Sequence, residues 1–224
     1  MNPEPFIPAK ESRFFITFFD VVVRLLCKLR FSGVYLKQAY TPSENSRTIY
    51  YLNHTSWWDG LIPLLLNQKC FHQRARAMME DKQMIEHGFF KRIGAFSVSL
   101  ENPKSIIRSL RYAVESMKRP NASLFIYPEG EIKPFSLEKP EFKSGLSWIV
   151  SKYSVPDVVP IAIYFTTAKS SKPALFLQVG KPVGKSDTNN LSEKTLRFEK
   201  ELQTLLLNTV DMAHNDPGQF RKFV

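Results

Sequence analysis

The segment Asn53-His54-Thr55-Ser56-Trp57-Trp58-Asp59 holds the residue types that general-base chemistry needs. A histidine and a carboxylate at this spacing meet if the chain turns between them. The carboxylate of Asp59 would then accept from one imidazole nitrogen of His54, fix the tautomer and stabilise the imidazolium. The other nitrogen is left to take a proton. This is the base-and-orienter half of a triad whose third member is a hydroxyl. The chain offers no G-x-S-x-G elbow. Its nearest string, Gly145-Leu146-Ser147-Trp148-Ile149, lacks the second glycine. The hydroxyl would therefore come from a substrate. Taken alone, the spacing also fits a structural polar pair.

A second segment, Phe125-Ile126-Tyr127-Pro128-Glu129-Gly130, leaves an apolar run. Pro128 stops a strand ladder, and Gly130 permits positive φ or close backbone approach. Glu129 there suits a polyol hydroxyl or a purely structural turn.

Positioning elements follow from periodicity. Thr48–Leu52, Arg74–Met79, Ala95–Leu100, Ser123–Tyr127, Val158–Phe165 and Leu175–Val179 read as strands. Trp57–Asn67, Lys104–Lys118, Ser144–Tyr153 and Ser192–His214 read as helices, and Pro128–Lys143 as a long loop. Alternation of the two predicts an α/β fold: a mixed, mostly parallel sheet flanked by helices. The run from Phe14 to Phe31 predicts a helix with Arg13, Thr17, Asp20, Arg24 and Lys28 on one stripe. Its charges disfavour a span, since each costs about 2.5 kcal/mol or more at a bilayer centre. An amphipathic helix lying in the membrane interface fits, and so does a core helix. We expect residues 1–40 to form an N-terminal amphipathic membrane-associating segment and residues 41–224 the catalytic domain. No secretory signal is expected, because Glu4 and Glu11 stand where a basic region should be. The polar tail from His214 to Val224 is expected to fray.

Composition sets bounds. With 43% hydrophobic and 23% charged residues the chain is a globular type, not a disordered one. Two cysteines, Cys27 and Cys70, give neither a disulfide framework nor a metal spacing, so a reducing compartment and no metal are expected. His72 and His87 have no partner in a recognisable spacing. The net charge of +10 points to an anionic partner. No nucleic-acid signature is present, and the aromatics concentrate in the N-terminal helix rather than among basic residues.

Taken together, these segments resemble the glycerolipid acyltransferase superfamily, typified by 1-acylglycerol-3-phosphate acyltransferases. The N-H-x-S-x-x-D block is matched by Asn53, His54, Ser56 and Asp59. The second block, a glycine after a basic stretch and then a strand, is matched by Lys91-Arg92-Ile93-Gly94-Ala95-Phe96-Ser97-Val98. The F-P-E-G block is matched as Tyr127-Pro128-Glu129-Gly130, F-K-x-G as Phe142-Lys143-Ser144-Gly145, and V-P-x-A/V as Val159-Pro160-Ile161-Ala162. The resemblance implies that His54, oriented by Asp59, deprotonates an acceptor hydroxyl that attacks acyl-CoA or an acyl carrier protein thioester. No bound cofactor is implied. Backbone amides near the His-to-Asp turn would stabilise the oxyanion. Substrate binding would fall to Pro128, Glu129, Gly130, Gly94, Arg92, Lys133, Lys143 and Pro160. Trp57, Trp58, Phe18 and Phe19 are candidates for an acyl tunnel or membrane contact. The partners implied are a membrane surface, on its cytoplasmic face, a lipid acceptor and the acyl donor.

Two departures bear on the acceptor. The basic residue that closes the second block is replaced by Leu100, and the third block continues Glu131-Ile132-Lys133-Pro134 rather than T-R-S. A phosphate favours a bidentate guanidinium. A lyso-aminolipid, a glycolipid or a glycosylated terpenoid are therefore alternatives to a lysophospholipid. A catalytically silent lipid-binding protein is the rival of another class.

Overall fold

A computed structural model describes residues 6–152, 157–168, 170–184 and 188–224. The elements run α1 (Arg13–Arg30), β1 (Gly33–Gln38), β2 (Thr48–Leu52), α2 (Ile62–Leu66), β3 (Arg74–Glu80), α3 (Asp81–Glu86) and β4 (Ala95–Val98). They continue as α4 (Pro103–Ser116), β5 (Ala122–Ile126), α5 (Gly145–Lys152), β6 (Asp157–Thr166), β7 (Ala174–Val179), α6 (Leu191–Asn215) and β8 (Arg221–Lys222).

All eight strands form one sheet in the order β4-β3-β5-β2-β6-β7-β1-β8. The pairings from β4 to β6 are parallel, β6–β7 is antiparallel, β7–β1 is parallel and β1–β8 is antiparallel. Central strands are continuous apolar runs because both faces are covered. Tyr50 and Leu52 of β2 and Phe125 of β5 pack with α1 and α2 on one face. Ile49 and Tyr51 of β2, with Leu124 and Ile126 of β5, pack with α4, α5 and α6 on the other. The chain leaving β2 thus enters the α1/α2 layer, while the chain leaving the adjacent β5 enters the opposite one. In an open α/β sheet, such a divergence of neighbouring strand ends opens a crevice.

The helix read over Trp57–Asn67 is built in three pitches: a 3-10 turn at Trp57–Leu61, α2, and a π-turn at Asn67–Phe71. Ser56 caps it, accepting from the Trp58 amide at 3.2 Å. Pro63 sits in the first turn of α2, where no amide is missed.

The strand β1 lies within the 1–40 range, and it pairs on both sides inside the sheet. The tail does not fray as expected. Phe220 and Phe223 are buried, and β8 closes the sheet edge against β1. Two apolar anchors outweigh a polar composition. In α1, Val23 and Cys27 face the core and Phe19 stacks on Phe89 with centroids 4.4 Å apart. Phe14, Phe18, Val21, Leu25 and Leu29, three or four residues apart, face outward, Phe14 with 74% of its surface free. No helix among the described residues is long and apolar enough to cross a membrane.

Candidate active site

The end of β2 is held by a side chain acting as backbone. Asn53 Nδ2 donates to the Ile163 carbonyl and its Oδ1 accepts from the Ile163 amide, both at 2.9 Å, so the ladder to β6 continues one residue past the strand. His54 follows, and the chain then turns back. His54 Nδ1 lies 3.1 Å from Asp59 Oδ2. The same oxygen accepts from the amides of Thr55 at 2.6 Å and Ser56 at 2.9 Å. Asp59 is fully buried, while His54 keeps 19% of its side chain exposed. A carboxylate fixed by two amides holds the ring, and the far edge of the ring faces outward.

The turn spends its own amides. Those of Thr55 and Ser56 bind Asp59, that of Trp58 binds Ser56 Oγ, and that of Asp59 binds the Ser56 carbonyl. The expectation that this turn's amides face a substrate oxyanion is therefore not met for these four, because sealing the turn consumes them.

The exit of β5 locks onto this turn. The Tyr127 hydroxyl donates to the Asp59 carbonyl at 2.5 Å, and its ring stacks on His54 with centroids 4.4 Å apart. Burial, with Asp59 nearby, pushes the Tyr127 phenol well above its usual range, so it stays a donor. The His54 amide donates to Glu129 Oε2 at 3.2 Å, and the Lys133 amide donates to the His54 carbonyl at 2.9 Å. Burial raises the Glu129 carboxyl, opposed by the His54 amide and by the charge of Lys133. Gly130 has φ of +77°, and a Cβ there would sit 2.8 Å from Lys143 Nζ. Glycine meets both demands.

His54 opens into a cleft of about 450 Å³ lined mainly by apolar side chains. Trp57, Pro128, Gly130 and Lys143 line it too. Glu129 and Lys133 instead line a polar hollow of about 310 Å³ with Asn53, Thr55 and Lys139. The two tryptophans divide. Trp57 is 44% exposed at the cleft, whereas Trp58 packs edge-on against Phe31 beneath the turn. Gly94, Arg92 and Pro160 lie outside the cleft lining. Gly94, at φ +106°, places its backbone where a Cβ would sit 2.7 Å from the Ala75 carbonyl, so its glycine serves strand packing. Arg92 lies over the Phe15 ring of α1, and Pro160 packs against Gly180. Phe18 is on the outer face of α1.

Among the described residues no three His, Cys, Asp or Glu side chains gather as a metal ion would need. Sequence reasoning did not single out Asn53 as an anchor or Tyr127 as a clamp. The signal for Asn53 was its place at the head of the first block. For Tyr127 it was the hydroxyl that this chain carries where the third block has phenylalanine.

The protein family described as Acyltransferase matches residues 30–164, more than half of the chain. The chain belongs to the Acyltransferase family. The matched range runs from the end of α1 into β6, so both strand exits that build the site of this acyltransferase fall inside it. The crystal structure of the 1-acyl-sn-glycerophosphate (LPA) acyltransferase PlsC from Thermotoga maritima matches with a TM-score of 0.61 at 19% identity. The match covers 89% of this chain and 80% of that one, and at this identity the likeness is one of fold. No curated protein gives a significant match.

Proposed function

We propose that this acyltransferase moves a fatty acyl group from a thioester, acyl-CoA or an acyl carrier protein, to a hydroxyl of a lipid acceptor. His54 Nε2 takes the acceptor proton, and Asp59 steadies the imidazolium. The acceptor oxygen then bonds to the thioester carbonyl carbon. As the C–S bond breaks, His54 returns the proton to the departing thiolate, leaving an ester and a free thiol. The observation that carries this reading is the 3.1 Å His54–Asp59 contact at the mouth of an apolar cleft. A buried structural pair would not need an open ring edge beside such a cavity. The PlsC match is to an enzyme whose name describes a lipid acceptor.

A phosphate-free acceptor is favoured by the charges around the cleft. Glu80, Glu131 and Lys143 line it, and among the described residues no arginine does. A lyso-aminolipid, a glycolipid or a glycosylated terpenoid suits that lining better than lysophosphatidate. The test presents purified protein and palmitoyl-CoA with each acceptor class and follows new ester by mass spectrometry. Ester formation on the uncharged or amino acceptors in preference to lysophosphatidate is expected. Exclusive use of lysophosphatidate would overturn the acceptor choice, and thiol release with no ester on any of them the transfer itself.

The outward face of α1 supports attachment to a membrane surface, with Lys28 and Arg30 in its last turn. Phe18→Glu is expected to release the protein from anionic vesicles in a sedimentation assay, and retained binding would contradict this.

A further inference from the structure

The apolar stripe on the outer face of α1 is bordered along one edge by cations. Arg24 is three residues from Val21, and Lys28 three from Leu25, so each cation stands beside an outward apolar side chain. Two further cations reach this edge from distant parts of the chain. Lys69 arrives on the π-turn Asn67–Phe71, and Arg221 on β8. In the pairing of β8 with β1, Arg221 stands opposite Leu36 and Lys222 opposite Tyr35. Leu36 packs with Val23 and Cys27 of α1, whereas Tyr35 packs with Ala213 of α6. Opposed residues share a face of the sheet, so Arg221 is on the α1 side and Lys222 on the other.

One buried ring gathers two of these cations. Lys69 Nζ lies 4.6 Å from the centroid of Phe223, and Arg221 Cζ 5.5 Å from it. Lys69 also donates to the Phe223 carbonyl, and Arg221 Nη2 lies 3.6 Å from Cys70 Sγ. Arg24 grips Asp20 twice, Nη2 to Oδ2 at 2.6 Å and Nε to Oδ1 at 2.9 Å. Burial lowers the Lys69 ammonium, and the charges of Arg24 and Arg221 lower it further, with Cys70 and Asp20 opposing. Three cationic side chains thus share one carboxylate, and Arg24 already holds it. Among the described residues neither Lys69 nor Arg221 forms an ion pair with a carboxylate. The fold keeps these like charges together, and an anion from outside would relieve their repulsion.

We propose that Arg24, Lys28, Lys69 and Arg221 hold the anionic phosphodiester headgroup of a membrane lipid whose chains lie along the α1 stripe. The proposal rests on the attachment of α1 to a membrane surface put forward above. Cations beside an apolar face suit the two halves of one such lipid, the headgroup at the cluster and the chains at Val21 and Leu25. Guanidinium groups meet phosphate oxygens in pairs. A zwitterionic surface brings no net charge to the cluster, so binding should depend on anionic lipid. It should depend on Arg221 and not on its neighbour Lys222, which the strand sends to the other face. Arg24 and Arg221 both lie outside the matched range 30–164, so the cluster belongs to the flanks of this chain.

The test sediments the full chain with vesicles of phosphatidylcholine alone and of phosphatidylcholine mixed with an equal part of phosphatidylglycerol. Methionine removes the charge and keeps an apolar stem over Phe223. Lys69→Met and Arg221→Met are each expected to weaken binding to the anionic vesicles by roughly fivefold, the worth of one cation near such a surface. Lys222→Met should leave it unchanged, and none of the three should alter binding to phosphatidylcholine alone. Equal weakening by Lys222→Met and Arg221→Met would show diffuse charge only and overturn the proposal. Native affinity in the Arg221→Met protein would overturn it too. If Lys69→Met does not fold, Arg221→Met carries the test. Inorganic phosphate and a single-stranded oligonucleotide serve as competitors. Displacement from the vesicles by either, at a concentration matching the lipid phosphate, would assign the cluster to another anion and overturn the proposal. The two readings fail separately. Release by Phe18→Glu with no effect of Arg221→Met keeps the attachment and removes the headgroup site, whereas the opposite pair of results does the reverse.

Discussion

The two strand exits that meet at His54 are built on opposite principles. After β2 the chain reverses within a few residues, and the amides of Thr55, Ser56, Trp58 and Asp59 are used inside the turn, with Asp59 holding His54, Thr55 and Ser56 at once. After β5 the chain runs from Tyr127 to Ser144 with no helix or strand, and touches the first exit through Tyr127, Glu129 and Lys133. The first exit fixes the His54 ring through Asp59. The second places Glu129 and Lys133 beside it. On the proposed reading, chemistry and choice of acceptor are divided between neighbouring strands.

Substitutions can break this division or sharpen it. The largest effect is expected from Asp59→Asn. An amide cannot stabilise the imidazolium as a carboxylate does, so kcat should fall by about 10²–10⁴ when thiol release is followed. A rate close to that of the native protein would mean that the first exit is only structural.

Tyr127→Phe cuts one link between the exits. It deletes the hydroxyl that serves the Asp59 carbonyl, and should lower stability by about 1 kcal/mol. Thermal melting reads this directly. A loss of activity as deep as that of Asp59→Asn would show that the second exit shares in the chemistry.

The smallest effect belongs to Glu129→Gln, which keeps an oxygen for the His54 amide. Burial raises the Glu129 carboxyl, so the fold favours its protonated form. That contribution is complete below the unfolded value of about 4.3 and is lost as pH rises through the raised folded value. The melting temperature of the native protein, minus that of the variant, should therefore fall as pH rises through this window and level off above it. A difference that is flat with pH, or rises, would contradict the assignment.

Much of this was legible in the sequence. The strands β2, β5 and β6 announce themselves as apolar runs, and the turn signals Asn53 and Pro128-Glu129-Gly130 mark where the site begins. The His54–Asp59 spacing requires only a tight turn, and Ser56 supplies its cap. Other features were hidden because long-range partners decide them. The strand β1 has no strong alternation of its own and exists as a strand between β7 and β8. Phe220 and Phe223 look like part of a loose tail until the sheet edge that buries them is in place. Trp57 and Trp58 are indistinguishable as neighbours in sequence, and the helical turn sends one to the cleft and the other to the core. Gly94 sits in a recognisable block, yet its φ and the Ala75 carbonyl explain it through packing.

The central claim is that His54 is the base. Replacing it with alanine removes the imidazole, with its contact to Asp59 and its stacking on Tyr127, while the Thr55 and Ser56 amides still have Asp59 as acceptor. Acyl-CoA thiol release should then be followed in the presence of a lipid acceptor the native protein esterifies, together with circular dichroism to confirm the fold. A fall of about 10²–10⁴ in kcat with an unchanged spectrum is the predicted result. Turnover at the native rate by the folded His54→Ala protein would contradict the account.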